Sequence, residues 1–295
     1  MKKTLGLIGS RGYVGRELVT LLASHAQLEL RLAVSQRDGK SPADVAAERL
    51  DAYVLALPNG ASGPYVEAIT RARADAVIID LSADHRFDAA WTYGQPERNR
   101  AAIREARLVA NPGCYATATQ LALAPLVPLL EGPANAFGVS GYSGAGTTPS
   151  PKNDPEALRD NLMPYALAGH VHEREVASQL GCRLFFMPHV APFFRGITVT
   201  VSVALAAPAT LAQLEARYRE AYEQEALVRF QGEIPLVRDI VGTHGVVIGG
   251  LTLSDDARHA VVVATIDNLL GGAATQALRN SNLALGLPEN EGVPQ

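Results

Sequence analysis

Thr4-Leu5-Gly6-Leu7-Ile8-Gly9-Ser10-Arg11-Gly12-Tyr13-Val14-Gly15-Arg16-Glu17-Leu18 decides the fold. Thr4 to Ile8 is a short apolar run, the pattern of a buried strand, and it stops at Gly9. From Tyr13 to Ser24, Val14, Leu18, Leu21 and Leu22 recur at helical spacing. Between strand and helix lies G-x-x-G-x-x-G, on Gly9, Gly12 and Gly15. Glycines there permit a tight turn and a close backbone approach, so that helix N–H groups can meet a pyrophosphate. The spacing departs from the usual G-x-G-x-x-G, and such glycines also serve plain structural turns. Placement in the first strand-helix unit favours nucleotide binding, with Gly9, Ser10, Arg11, Gly12, Tyr13 and Val14 as the cofactor candidates.

The same alternation continues outward. Leu28 to Val34, Ala52 to Leu57, Ala76 to Leu81 and Leu108 to Ala110 read as strands, with a helix near Tyr65 to Ala72. Strands separated by helices predict a parallel sheet with crossover connections. After Cys114 the pattern changes. A helix is expected over Tyr115 to Leu130, followed by longer alternating strands at Arg183 to Val190, Gly196 to Leu205, Gly245 to Leu253 and Ala260 to Ile266. One helix, Leu211 to Glu223, lies among them, and Gly272 to Leu285 reads as a closing helix. Few helices among long strands predict a mixed sheet with helices on one face. The fold class is therefore α/β: a Rossmann-type domain over 1–113, then an α+β domain over 114–267, with a terminal segment 268–295.

Composition excludes several classes. The chain has 295 residues, 47% of them hydrophobic, enough for two packed cores and too apolar for disorder. A net charge of −4 offers no basic surface for nucleic acid. Two cysteines make no disulfide framework, so a reducing cytoplasm is the expected compartment. The start, Met1-Lys2-Lys3 and an apolar stretch, superficially resembles a signal peptide. That stretch is broken by glycine and runs into the loop above, which argues against one. No apolar run approaches the length of a membrane span.

Several polar positions carry chemistry. The second strand ends in Ala33-Val34-Ser35-Gln36-Arg37. Ser35 and Arg37 suit the 2′-phosphate of NADP(H), whereas Asp38 next to them is the residue type that favours NAD. Pro58 and Ser82 follow the third and fourth strands, at the sheet edge where such folds bind ligands. Arg86 lies just beyond, in Ser82-Ala83-Asp84-His85-Arg86. In Asn111-Pro112-Gly113-Cys114-Tyr115-Ala116-Thr117, proline and glycine force a turn and the cysteine enters the first turn of a helix. Unpaired N–H groups and the helix dipole favour the thiolate there, although cysteine is also a common buried structural residue.

Gly169-His170-Val171-His172-Glu173-Arg174-Glu175 supplies two imidazoles, two apart and so not on one helix face. Their spacing fits no standard zinc site, and no metal is expected. A proton carrier beside a cysteine is the better use, with Glu175 either tuning it or simply opening a charged helix. Ser143 and Gly144 lie in a hydroxyl-rich loop that either offers donors to an anion or is plainly mobile. Arg195, among apolar residues, holds an anionic substrate or closes a strand turn.

Taken in order, these pieces resemble the N-acetyl-γ-glutamyl-phosphate reductase family, the arginine-biosynthesis relatives of aspartate-semialdehyde dehydrogenase. The resemblance rests on GSRGYVGREL at Gly9–Leu18, LALPNG at Leu55–Gly60 and DLSADHRF at Asp80–Phe87. It continues through NPGCYAT at Asn111–Thr117, SGYSGAG at Ser140–Gly146, GHVHEREV at Gly169–Val176, PHVAPFFRGI at Pro188–Ile197 and the segment from Asp267 to Leu285. It implies an NADPH-dependent oxidoreductase acting on an acyl phosphate, with Cys114 as nucleophile and His170, or failing that His172, as acid/base. It also implies that Ser10, Gly12, Tyr13 and Val14 line the pyrophosphate, that Ser35 and Arg37 sit near the 2′-phosphate, and that Asn268 reaches the nicotinamide. The last helix is expected to pack back on the first domain.

Asn111, Ser143, Gly144, Arg86 and Arg195 are the substrate-side candidates, and a homo-oligomer, dimer or tetramer, is expected. The chain departs from the family in a short Ser35–Asp51 segment, in His244 where asparagine is usual, and in Gly271 where lysine is frequent. Two other readings share these features: a reductase for aspartyl phosphate or carrier-linked aminoadipyl phosphate, and a non-catalytic NADP sensor.

Overall fold

The computed structural model describes residues 2–294, the side chain of Gln36 excepted. The chain forms two compact units, one of residues 1–113 and 273–295, the other of residues 114–272. The first begins β1 (Lys3–Ile8), α1 (Tyr13–Ala23), β2 (Leu28–Val34), α2 (Pro42–Ala47), β3 (Ala52–Leu55) and α3 (Gly63–Ala72). It continues β4 (Val77–Asp80), β5 (Thr92–Tyr93), α4 (Pro96–Glu105) and β6 (Leu108–Ala110). The strands form one parallel sheet in the order β2-β1-β3-β4-β6-β5. β3 and β4 are buried along their whole length, as a sheet covered on both faces requires. β2 and β3 flank β1 on opposite sides, so strand order reverses there, and the carboxyl ends of such strands open a crevice.

The second unit contains α5 (Cys114–Leu123), β7 (Ala134–Gly141), α6 (Pro155–Leu158), β8 (Met163–Pro164), α7 (Val171–Leu180), β9 (Leu184–Ala191) and β10 (Ile197–Ala204). α8 (Leu211–Tyr222), β11 (Val228–Phe230), α9 (Val237–Ile240), β12 (Val246–Leu253) and β13 (His259–Ile266) complete it. Its mixed sheet runs β11-β12-β13-β10-β7-β9-β8. α5 lies on this sheet against β13 and β10 and is buried from Tyr115 to Leu123, enclosing Thr117, Thr119 and Gln120 along with its apolar side chains. Each buried leucine there contributes about 1.5–3 kcal/mol. The tyrosines of α8 hold its far end: Tyr222 and Tyr218 donate to the carbonyls of Leu121 and Ala122, two of the acceptors a helix end leaves unpaired.

Two expectations need correction. The helix expected to reach Leu130 ends at Leu123, where Pro125 and Pro128 turn the chain into a tighter helical stretch over Ala124–Leu129. The strand β7, central in the sheet, was not anticipated; its run Ala134–Gly141 contains two glycines and an asparagine.

The terminal helix α10 (Thr275–Ala284) returns to the first unit and packs on α1, α4 and β4. It buries polar side chains rather than a leucine stripe. Arg279 pairs with Glu97 and Glu289, His25 bonds Asn282 at 3.1 Å, and Asn280 donates to the carbonyl of Gly94 at 2.8 Å and to Oδ1 of Asn111 at 2.9 Å.

Candidate active site

In the first unit β1 ends at Gly9, whose φ of +94° suits glycine and whose Cβ, were there one, would lie 2.0 Å from the Ala56 carbonyl oxygen. The N–H groups of Gly9 and Ser10 both donate to Val34 O, at 2.8 and 3.0 Å, and Gly12 closes the turn on Gly9 O at 3.1 Å. A Cβ on Gly15 would lie 2.2 Å from Gly9 O, so this glycine lets α1 press against the turn. Gly12 caps α1 without a side chain, and no acid occupies the first turn. The positive end of the helix therefore faces a cradle of backbone that a side chain would fill, which fits a pyrophosphate.

Beside this cradle, Ser35 donates from both N and Oγ to Asp38, at 2.6 and 2.7 Å, and Arg11 pairs with the same carboxylate at 3.2 Å. These hydrogen bonds, then the Arg11 charge, hold the Asp38 carboxyl below its ordinary range. The one acid that argued for NAD is thus engaged with Ser35 and Arg11, while Arg37 is exposed.

The loops after β3 and β4 tie to each other. Asn59 Oδ1, beside Pro58, accepts from Ala83 N at 3.0 Å, and Asp84 accepts from Gly60 N at 2.7 Å and Ser62 Oγ at 2.8 Å. Buried Asp80 takes Ser82 N at 3.0 Å, Ser82 Oγ at 2.8 Å and the His85 ring at 2.7 Å, and that ring stacks on Trp91. Arg86 is buried and donates to the carbonyls of Asn111 and Leu81, both at 2.9 Å. Ser82 and Arg86 therefore shape these loops, and Asn111, held by Arg86 and Asn280, starts the turn into Cys114.

In the second unit Cys114 is the first residue of α5 and is half-buried. Gly272 gives it room: a Cβ at 272 would lie 2.7 Å from the Cys114 Cβ. Only the fold reveals that need. His170 caps α7, and its Nδ1 accepts from the backbone N–H of His172 at 3.1 Å. That leaves the proton of the neutral ring on Nε2. Because His170 precedes the helix proper, the two imidazoles come together, 4.8 Å between centroids at 67°. The spacing argument, which set them on different faces, holds only within a helix. The His172 ring lies 6.0 Å from that of Tyr115, the residue after the cysteine.

Burial, then the charge of Lys152, lowers the His170 pKa to about 4, against a smaller opposing effect of Glu173. Tyr165 meets His170 edge to face at 5.5 Å, and burial followed by the Cys114 charge pushes its phenol pKa up. Glu175 is fully buried in α7, whereas Glu173 accepts backbone N–H groups of Gly169 at 3.1 Å and Phe186 at 2.9 Å.

The loop holding Ser143 and Gly144 is clamped rather than mobile. Gly141, Tyr142 and Ser143 donate to the carbonyls of Gly196, Phe193 and Phe194, at 2.9, 3.0 and 2.9 Å. Asn268 is buried and spends both ends of its amide here, accepting from Gly196 N at 2.7 Å and donating to Ser143 Oγ at 2.9 Å. Arg195 makes a forked pair with fully buried Asp267, at 2.7 and 2.9 Å, so its guanidinium closes the turn before β10. The two late departures from the family pattern touch each other: a Cβ on Gly271 would lie 2.9 Å from His244 O.

A doubly wound sheet with a glycine cradle, followed by a mixed-sheet unit that opens on a cysteine whose neighbour Tyr115 faces an imidazole pair, is the build of a dinucleotide-dependent dehydrogenase. Comparison with known proteins narrows this. A family model described as semialdehyde dehydrogenase, NAD binding domain, matches residues 4–106, and one described as semialdehyde dehydrogenase, dimerisation domain, matches residues 114–268. The chain belongs to the semialdehyde dehydrogenase family. It is 52% identical to the N-acetyl-gamma-glutamyl-phosphate reductase of Xanthomonas axonopodis pv. citri (strain 306), covering 97% of each chain. It is 51% identical to the protein of the same name from Stenotrophomonas maltophilia (strain R551-3), covering 99% of this chain and 98% of that one.

The fold is similar to aspartate semialdehyde dehydrogenase II of Vibrio cholerae, solved with ASA, at a TM-score of 0.77 and 17% identity over 97% of this chain and 99% of that one. It is also similar to the Candida albicans aspartate semialdehyde dehydrogenase solved with NADP, at a TM-score of 0.73 and 17% identity over 96% and 100%.

Proposed function

We propose that this chain is an NADPH-dependent reductase that converts N-acetyl-γ-glutamyl phosphate to N-acetylglutamate semialdehyde in arginine biosynthesis. The observation that carries the chemistry is Cys114 at the start of α5, followed by Tyr115, whose ring lies 6.0 Å from that of His172, itself 4.8 Å from that of His170. The choice of acid follows the relatives, about half identical along nearly the whole chain.

The Cys114 thiolate attacks the acyl carbon, the bond to phosphate oxygen breaks, and a thioester remains on sulfur. The backbone of Gly9, Ser10, Gly12, Tyr13 and Val14 would hold NADPH, with Arg37 toward its 2′-phosphate, and the bound cofactor would supply the hydride for reduction of this thioester. The oxyanion at the acyl carbon needs a donor, and the N–H at the start of α5 is placed to be one. His170, neutral near pH 7, donates Nε2–H to the same oxygen. A ring that protonates only near pH 4 is a poor proton carrier at neutral pH. The thiol proton therefore passes to His172, with buried Glu175 in the same helix as its positioning carboxylate. Collapse of the hemithioacetal releases the aldehyde and restores Cys114.

The test is NADP⁺- and phosphate-dependent oxidation of N-acetylglutamate semialdehyde, beside aspartate semialdehyde and the carrier-linked aminoadipate semialdehyde. Turnover with one of the latter two instead would replace the substrate. No turnover with any, together with slow alkylation of Cys114, would favour the NADP sensor.

The second unit also carries a surface for a second copy of the chain. The sheet face opposite α5 is uncovered: Phe137 is 39% exposed and Phe185 49%. Strand pairing sets Val263, Thr200, Phe137 and Met187 in one row across it. Such a face suits a dimer. Light scattering of F137K/F185K should then report a monomer. Among the described residues no helix is long and apolar enough to cross a membrane, and the cytoplasm is the proposed site of action.

A further inference from the structure

We propose that Lys152 is the residue that selects a carboxylated substrate, its ammonium group receiving the carboxylate at the end of the substrate remote from the reacting carbon. This rests on the reading of Cys114 as the acyl acceptor.

Lys152 lies in a single helical turn, Pro151–Asn153, between β7 and α6. The turn is tied down on both sides. Ser150 N donates to Asn153 Oδ1 at 2.8 Å, and Asn153 Nδ2 donates to the carbonyls of Gly146 at 2.9 Å and Thr148 at 2.8 Å. The side chain is half-buried, with Nζ 4.8 Å from the centre of the Tyr165 ring. Among the described residues no carboxylate comes within ion-pair distance of Nζ; its recorded partner is that aromatic face. Cation–π contact steadies an ammonium without neutralising it, so the charge is available to an incoming anion. A lysine meant only to hold the loop would be expected to find one of the chain's own carboxylates, as Lys40 does with Glu48 at 3.1 Å.

The place of this charge decides which anion it meets. Tyr165 meets His170, His170 meets His172, and His172 faces Tyr115 beside Cys114. Tyr165 itself feels the Cys114 charge, so Lys152 stands over one ring of the aromatic and imidazole cluster that adjoins the thiol. The acyl carbon and the phosphate it carries must be at the thiol, where the carbon–sulfur bond forms. A substrate that extends from the thiol over Tyr165 brings its second anion, at the end of a short carbon chain, toward Lys152. The charge also reaches His170, where it adds to burial in keeping the ring neutral. One cation therefore serves both recognition and the protonation state of the adjoining imidazole.

The test is K152M, which keeps a long apolar stem on Tyr165 and removes the charge. In NADP⁺-dependent oxidation of N-acetylglutamate semialdehyde, KM for the aldehyde should rise at least about ten-fold, the scale of one lost charge-assisted contact. KM for inorganic phosphate should move less than about two-fold. Preference for this aldehyde over N-acetyl-γ-aminobutyraldehyde, which lacks the carboxylate, should collapse, and K152R should restore part of it. A rise in the phosphate KM with no change in the aldehyde KM would overturn the proposal, assigning Lys152 to the phosphate.

A second measurement does not depend on the substrate. Wild-type Cys114 should favour iodoacetate over iodoacetamide relative to K152M by at least about three-fold, because iodoacetate alone carries a carboxylate. An unchanged ratio would sink the role of Lys152. Failure of the wild type to oxidise the semialdehyde would instead overturn the proposed substrate, and the alkylation ratio would still decide Lys152.

Discussion

α1 and α5 each leave the end of a parallel strand directly after a glycine, and they are put to different uses. α1 follows β1 through Gly12 and buries only Gly15, Leu18, Leu21 and Leu22. α5 follows β6 through Gly113 and buries every residue from Tyr115 to Leu123. Both starts carry the same partial positive charge. What differs is the first side chain and its surroundings. At α1 the turn is bare backbone, which suits holding an anion that does not react. At α5 the first residue is a thiol, and the next, Tyr115, faces the His172 ring, which adjoins His170. A helix start becomes reactive only when the fold adds a nucleophile and a proton carrier to it.

Removing the thiol should separate the two starts most sharply. Cys114→Ala should lower kcat by at least about four orders of magnitude, as loss of a nucleophile does, while NADPH still binds in a fluorescence titration. Near-normal turnover would end the assignment of α5 as the reactive start. The imidazoles come next. His172→Asn should cost about 10²–10⁴ in kcat. His170→Asn should cost less, because its ring donates a hydrogen bond without carrying the proton. Reversal of that order in single-turnover rates would exchange their roles.

The binding start is broken at Gly9. An alanine there must push against Ala56 O, so Gly9→Ala should destabilise the chain by about 1–3 kcal/mol in urea unfolding and weaken NADPH binding. Iodoacetamide should still alkylate Cys114 at the wild-type rate. A slower rate would mean that the two starts are coupled.

The smallest effect is one of pH. In the unfolded chain the His170 ring takes up a proton near pH 6.5; folded, it does so only near 4. Between those values the unfolded state binds more protons, so stability falls as pH drops from 6.5 toward 4 and this contribution levels off below. The urea midpoint of His170→Asn should lose that part of the slope, and an unchanged slope would mean that another group produces it.

The parallel sheet was legible because its strands are continuous apolar runs that end at glycine or proline, as Thr4–Ile8 does at Gly9 and Ala52–Leu57 at Pro58. Less legible elements have physical reasons. α4 buries only Pro96 and Ile103 beneath a charged surface, so no apolar period marks it. β7 hides behind glycines that leave room for Tyr115 and Phe186, as Gly138 does. α10 contradicts ordinary patterning, since Arg279, Asn280, Ser281 and Asn282 are all buried: Arg279, Asn280 and Asn282 bond partners far away in the chain, and Ser281 bonds the carbonyl of Ala277 one turn back.

Within the site, Cys114, the histidine pair and the glycine loop could be named from local sequence because proline, glycine and helix starts act over a few residues. Asn268 and Arg195 could be named but not placed. Their amide and guanidinium are committed to Ser143, Gly196 and Asp267, which lie up to 125 residues away in the chain.

The sequence by itself determined the local choices: where strands stop, where two helices start after glycine, and which start carries sulfur. Those follow from backbone sterics and dipoles that span a turn or two. Only the tertiary structure decided what stands around each start. It brought His170 and His172 together at a helix cap, opened space for Cys114 at Gly272, paired Arg195 with Asp267, and set Lys152 over Tyr165 with no acid in ion-pair reach among the described residues. Whether a charge is neutralised or kept for a substrate depends on partners distant in the chain, and those are settled by packing.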